Sequence, residues 1–299
     1  MLILLPCLDS DQRAAHCRDV LSIDHGRAQL LGRSAVAAAD QGRYRTSDGR
    51  AVDWSEAVER ARAAKLSIPP DAPLPRRRAT IGGETRVQVA NETTLVAGRR
   101  LVDQDLKVLA LNFANGVRPG GGFLAGARAQ EEVLCRSSAL YATLDGDPMY
   151  AAHRQRPEPD STDWAILSPD VPVFRDDDGT ALDAPWLLSV LTGAAPYAPA
   201  IGQPRARDLL EARVRRVLAI ARAYGYSTLV LGAWGCGAFA NDASRTAQDF
   251  RRSLEEHAGA FNEVVFAVTD WSPERRFIAP FAAALASSDQ AAPSSPSLW

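Results

Sequence analysis

Between Asp9 and Lys65 the apolar positions recur at helical spacing, in Ala28 to Ala39 and in Trp54 to Ala64, with breaks at Gly42 and at Asp48-Gly49. Two or three helices are expected there. The segment Ile68 to Pro75 carries four prolines in eight residues, so no helix crosses it and it should run as an extended connector. A boundary near Pro75 follows, with a helical accessory segment over residues 1–75 ahead of it.

Beyond that boundary the pattern changes to short apolar runs alternating with amphipathic stretches. Strands are expected at Arg86 to Ala90, Leu106 to Phe113, Trp164 to Leu167, Leu187 to Leu191, Thr228 to Leu231 and Glu263 to Thr269. Val108 to Leu111 and Leu229 to Leu231 are apolar on both faces, as central strands covered on each side must be. Helices fit at Gln130 to Leu144, Arg205 to Tyr224, Ser244 to His257 and Pro273 to Leu285. The fold class is α/β, a three-layer α/β/α domain with a mixed sheet over residues 76–286. Residues 287–299, rich in Ser, Ala and Pro, are expected to fray into solvent.

Composition adds mainly exclusions. A chain of 299 residues with 46% hydrophobic residues can bury a full core. With 34 Lys+Arg against 36 Asp+Glu, no global attraction to DNA or to an anionic membrane is expected. The clusters Arg76, Arg77, Arg78 and Arg205, Arg207, Arg213, Arg215, Arg216 read as a solvated loop and a solvated helix face rather than as a polyanion track. Cys7, Cys17, Cys135 and Cys236 form no Cys-x-x-Cys pair, and only four His are present, so free thiols and no zinc site are expected. Met1 to Cys7 is apolar but lacks a cationic leader and is too short to span a bilayer, which points to the cytoplasm.

Two glycine-rich loops follow central strands, where α/β sheets bind ligands. The first runs from Asn112 to Phe123 and contains Gly120-Gly121-Gly122; seven residues later Gln130-Glu131-Glu132 opens a helix. Acidic residues in a first turn complement the helix dipole, which explains one glutamate better than two. Adjacent helix positions point about 100° apart, so the pair cannot flank one bond as the two carboxylates of a standard glycosidase do. They can divide labour, one binding sugar hydroxyls and one transferring protons, with desolvation raising the acid toward neutrality. The second loop, Gly232 to Asn241, lies between a strand and a helix and exposes backbone N–H groups suited to a diphosphate. It lacks the Lys and spacing of a P-loop. Phe239 reads either as core or as a stacking partner, and Cys236 has no neighbouring His to make it a nucleophile.

The triple glycine, the seven-residue spacing and the double glutamate resemble the signature of bacterial-type poly(ADP-ribose) glycohydrolases of the macrodomain superfamily, and Gly232 to Asn241 is similar to their diphosphate loop. The likeness runs from roughly Gly32 to Ala284. It implies an enzyme that cleaves poly(ADP-ribose), alone or on ADP-ribosylated proteins, and releases ADP-ribose without a cofactor or metal. Glu132 would protonate the leaving ribose oxygen and then activate water. Glu131 would hold hydroxyls of the adjoining ribose, and Gln130 would orient the pair. Asn112 and Asn115 would bind the distal ribose. Gly120, Gly121 and Gly122, with Gly235, Cys236, Gly237, Ala238 and Phe239, would cradle the diphosphate, Phe239 being the aromatic partner. The substrate's own diphosphate would stabilise the oxocarbenium ion. Action mainly from the polymer end is also implied, if the accessory segment walls off one side of the cleft. Two rivals stay open: a macrodomain that binds ADP-ribose without cleavage, and an enzyme removing single ADP-ribose units from proteins. A dinucleotide-dependent oxidoreductase lacks its Gly-x-Gly-x-x-Gly. Gly146 to Asp160 and the acidic run Asp176 to Asp178 have no role in this reading.

Overall fold

The computed structural model describes residues 1–76 and 83–287; Arg77, Arg78 and the tail from 288 onward lie outside the described residues. In chain order the elements are β1 (Leu2–Leu4), α1 (Asp11–Leu21), α2 (His25–Gln41), β2 (Arg43–Arg45), β3 (Ala51–Asp53), α3 (Ser55–Ala64), β4 (Leu66–Ile68), β5 (Thr85–Ala90), α4 (Thr94–Val102) and β6 (Val108–Ala114). A single-turn 3-10 helix at Phe123–Ala125 precedes α5 (Gln130–Ser137), α6 (Leu140–Leu144), α7 (Pro148–Arg154), β7 (Ala165–Arg175) and β8 (Ala181–Ala194). The chain continues with α8 (Ala198–Ile201), α9 (Arg205–Ala223), β9 (Thr228–Leu231), α10 (Ala243–Glu256), β10 (Glu263–Ala267) and α11 (Ile278–Leu285).

Eight strands form one mixed sheet in the order β1-β5-β10-β9-β6-β8-β7-β4, parallel from β1 to β8 and antiparallel at β8-β7 and β7-β4. Period-two alternation sends neighbours on the central strands to opposite faces. Val108, Ala110, Val230 and Val265 pack under α2 to α7, while Leu109, Leu111, Leu229, Val264 and Phe266 pack under α9, α10 and α11. These two buried clusters are the cores of the three-layer domain that the both-faces-apolar runs require.

The segment ahead of Pro75 holds its expected helices but is not a separate layer. Its short strands β1 and β4 pair with β5 and β7 and so supply both edges of the main sheet. Gly32 of α2 lies so close to Phe123 that a methyl group there would stand 2.7 Å from the Phe123 carbonyl. The accessory helices are thus packed directly on the first glycine loop.

Three further expectations are corrected. The helix read over Gln130 to Leu144 breaks at Ser138, whose extended backbone (φ -145°, ψ 177°) bridges to Val173 while its hydroxyl donates to the Leu134 carbonyl. The last helix starts at Ile278, not Pro273. Arg213 on α9 is buried rather than solvated: it donates to the Ala194 carbonyl at 2.9 Å and to the Asp160 carbonyl, so its buried guanidinium is hydrogen-bonded to backbone. Among the described residues no helix is long and apolar enough to cross a membrane.

Candidate active site

The first glycine loop leaves the carboxyl end of β6 and returns as α5. Gln130 fastens the two: its Oε1 accepts the Phe113 N–H at 2.9 Å, and its Nε2 donates to the Leu111 carbonyl at 2.8 Å and to Thr94 Oγ1 at 3.2 Å. A side-chain amide serves here as a backbone partner where β6 ends, so α5 has one fixed register against the sheet. Glu131 and Glu132 then stand in the first turn of α5, both buried.

Glu131 accepts the Asn115 N–H on Oε2 at 2.7 Å and the Asn112 amide on Oε1 at 3.4 Å. Burial pushes its carboxyl up to about 8, the Asn115 N–H acting against that rise and the charge of Glu132 adding to it. Glu132 accepts the Gly122 N–H on Oε1 at 2.9 Å, while its buried Oε2 has no partner among the described residues. The two side chains diverge at the helix, yet both carboxylates come to Gly121: a methyl group on that residue would overlap Glu132 Oε1 and lie 2.8 Å from Glu131 Oε2. They share one side of the site and do not face each other across it, so an arrangement with two opposed carboxylates is absent from this pair.

Asn112 is fully buried; its amide also donates to Thr192 Oγ1 at 3.2 Å, and its Oδ1 has no partner among the described residues. The Asn115 side-chain Oδ1 caps its own loop, accepting the N–H groups of Val117 and Arg118 at 3.0 Å each.

In the second loop Gly235 has φ +75°, and Asn241 reaches back to donate to the carbonyls of Pro196, Gly235 and Phe239. Cys236 turns inward, its thiol pushed up to about 12 by burial, which removes it as a nucleophile at neutral pH and leaves only its backbone for ligand. Gly237 and Ala238 are exposed. Phe239 packs edge-on against Tyr197, with ring centroids 5.6 Å apart.

A cavity of about 770 Å³ opens between the ends of β5 and β10 and the first turns of α5. Gly237 and Ala233 of the second loop and Gln130 of the glutamate motif reach its wall. Its aromatic residues are Phe113, Trp271 and Phe277; Phe239 is not among its lining residues. The end of the last strand, Val268 to Asp270, also lines it. Sequence reasoning missed Thr93, Trp271, Phe277 and Asp177. The last belongs to the acidic run without a role: it accepts the Thr93 hydroxyl at 2.6 Å, is raised to about 6 by burial, and stands in the cavity wall.

The family described as microbial-type PARG, catalytic domain, matches residues 32–176. No curated protein sequence matches the chain. Among solved structures, the poly(ADP-ribose) glycohydrolase (PARG) of Thermomonospora curvata is 39% identical, with 86% of this chain and 99% of that chain covered at a TM-score of 0.80. The same protein bound to the inhibitor ADP-HPD gives 39% identity over the same shares and a TM-score of 0.78. PARG from Deinococcus radiodurans in complex with ADP-ribose is 41% identical, covering 78% of this chain and 98% of that chain, with a TM-score of 0.71. Identity at this level over nearly the whole of both solved proteins, on the fold that brings the triple glycine to the two glutamates, places the chain in the bacterial poly(ADP-ribose) glycohydrolase family.

Proposed function

We propose that the chain hydrolyses the ribose–ribose O-glycosidic bond of poly(ADP-ribose) and releases ADP-ribose, with Glu132 as the acid/base group. The observation that carries this is the asymmetry of Glu132, one oxygen held by the Gly122 N–H and the other buried with no protein partner. A proton on Oε2 passes to the leaving ribose oxygen as the glycosidic bond breaks. The resulting carboxylate takes a proton from the water that then adds to the oxocarbenium carbon. Glu131, protonated near neutral pH by its raised pKa, holds hydroxyls of the adjoining ribose. The unpartnered Oδ1 of Asn112 supports a distal-ribose contact, and Asn115 supplies its N–H to Glu131. The diphosphate lies between the triple glycine and the loop from Gly235 to Phe239, and its charge stabilises the oxocarbenium ion.

Action from the polymer end is supported by the accessory segment, since Arg18 and Leu21 of α1 and Ser22 just after it form part of the cavity wall. Early release of oligomers longer than ADP-ribose would overturn that part. For the hydrolysis itself, Glu132→Gln is expected to lower release of ADP-ribose by about 10²–10⁴-fold while still binding ADP-ribose. If the wild type and the variant both bind ADP-ribose and neither releases it, the chain is a reader and not a hydrolase.

A further inference from the structure

The stretch from Gly146 to Asp160 becomes α7 and the turn after it, and one buried ring from α7 reaches the first glycine loop. His153 is 3% exposed. Its Nδ1 lies 2.9 Å from the Gly116 carbonyl, and its Nε2 lies 2.7 Å from Thr162 Oγ1 and 3.1 Å from the Thr162 backbone nitrogen. A backbone N–H can only donate, so Nε2 carries a lone pair and the single ring proton is on Nδ1, donated to Gly116. Burial holds the ring below the ordinary imidazole value, with Arg213 and Arg156 pushing the same way and the Gly116 bond and Asp160 opposing. The neutral tautomer is therefore the resting form.

The next residue repeats the contact one step along: Arg154 Nη1 donates to the Val117 carbonyl at 2.8 Å. Two consecutive residues of α7 thus hold two consecutive carbonyls of the loop. From the other side, Gly116 is pressed so closely on Ser161 and His153 that a methyl group there would overlap Ser161 Oγ and lie 3.3 Å from Nδ1. Ser161 is itself held in the left-handed region at φ +53°, beside Asp160, whose carboxylate is bracketed by Arg156 and Arg205. Directly before Gly116 comes Asn115, whose N–H fixes Glu131 Oε2.

We propose that His153 is a positioning residue for the glycohydrolase reaction: by fixing the Gly116 carbonyl it fixes the Asn115 N–H and hence the Glu131 carboxylate at the scissile ribose. The inference rests on the reading that Glu131 holds ribose hydroxyls. His153 touches no reacting atom and is absent from the lining of the large cavity, so it acts through the loop backbone.

The test compares two ligands, ADP-ribose and ADP, which lacks the terminal ribose, beside turnover of polymer. In His153→Leu, kcat should fall by about 10–100-fold, as for a displaced reacting group. ADP-ribose should bind about tenfold more weakly, while ADP stays within about twofold. His153→Asn, whose side-chain amide can occupy the place of Nδ1, should recover most of both losses. Equal weakening of ADP and ADP-ribose, no change in either with full turnover, or no recovery in His153→Asn would each overturn the proposal. Should His153→Leu fail to fold, Arg154→Ala at an exposed position carries the test, with the same selectivity for ADP-ribose in milder form; equal effects on both ligands would again overturn it. If the wild type binds ADP-ribose but releases none from polymer, the hydrolase reading fails on its own, and the difference between the two ligands still decides the role of His153.

Discussion

In the loop after β6 the critical glycine is surrounded by its own protein, whereas in the loop after β9 one glycine faces open space. Gly121, at φ +59°, has two carboxylates where a side chain would be, while around Gly237 no atom of the described residues stands within 4 Å of the place of a Cβ. The first loop uses the missing side chain to let Glu131 and Glu132 approach the backbone, so that the Gly122 N–H can hold one of them. The second uses it to leave backbone uncovered on a cavity wall. Two runs of glycine that look equivalent along the chain thus differ in what takes the place of the missing side chain, and substitutions should separate an effect on chemistry from an effect on binding.

The largest effect is expected from Gly121→Ala. A left-handed backbone costs an L-residue about 1–2 kcal/mol, and the new methyl group must also displace at least one carboxylate. Turnover of polymer should fall by about 100-fold or more, because a reacting group moved by an ångström loses that much. The melting temperature should fall as well. A Gly121→Ala protein that turns over at the wild-type rate would show that the carboxylates do not depend on this close approach, and the contrast between the loops would break.

A smaller effect concerns pH. Burial raises Glu131 from 4.5 to about 8, so the folded protein holds that proton more tightly than the unfolded chain. Its contribution to stability is therefore complete below the unfolded value and is lost as pH rises through about 8. Glu131→Gln removes the titration while keeping most of the shape. The melting temperature of the variant relative to the wild type should rise between pH 6 and pH 9, by an amount on the order of 2–3 kcal/mol, or several degrees. A gap that stays constant across that range would mean that Glu131 is not held in a desolvated place, and the first loop would be as open as the second.

How far this division could be read from the chain depends on the range of the forces involved. The central strands were legible because the unbroken apolar run Val108 to Leu111 is a local signal and both of its faces meet helices. The full length of β7 and β8 was not, since Pro169, Pro172 and Pro185 interrupt the pattern; Pro169 falls in a register shift between Ser168 and Val171, while Pro172 keeps its pairing with Leu187. The start of α7 was readable from Asp147 capping Met149 with Pro148 in the first turn, and went unread because the segment showed no long periodicity. The glutamate motif stood out because its parts are close in sequence. The cavity did not, for its walls come from distant segments: Asp177 meets Thr93 across 84 residues, and Trp271 and Phe277 lie in irregular chain. Phe239 drew the aromatic role by being adjacent to the loop in sequence, yet its ring is turned to Tyr197.

The smallest and most discriminating change is Gly237→Ala. The position is exposed, has no atom near the new methyl group and does not need the left-handed region, so stability should hold to within about 0.5 kcal/mol or rise slightly as the unfolded chain loses freedom. Binding is another matter, because the methyl group would occupy space from which a diphosphate approaches the backbone. ADP-ribose and ADP should therefore both bind about three- to tenfold more weakly, an effect of roughly 0.6–1.4 kcal/mol, with kcat for bound polymer nearly unchanged. That pattern is the reverse of the one expected for His153→Leu, in which ADP is spared and turnover is not. If Gly237→Ala instead leaves both affinities at the wild-type level, the diphosphate does not lie against this part of the second loop. Its holding groups must then be sought in the backbone of Gly235 and Cys236 or in the triple glycine.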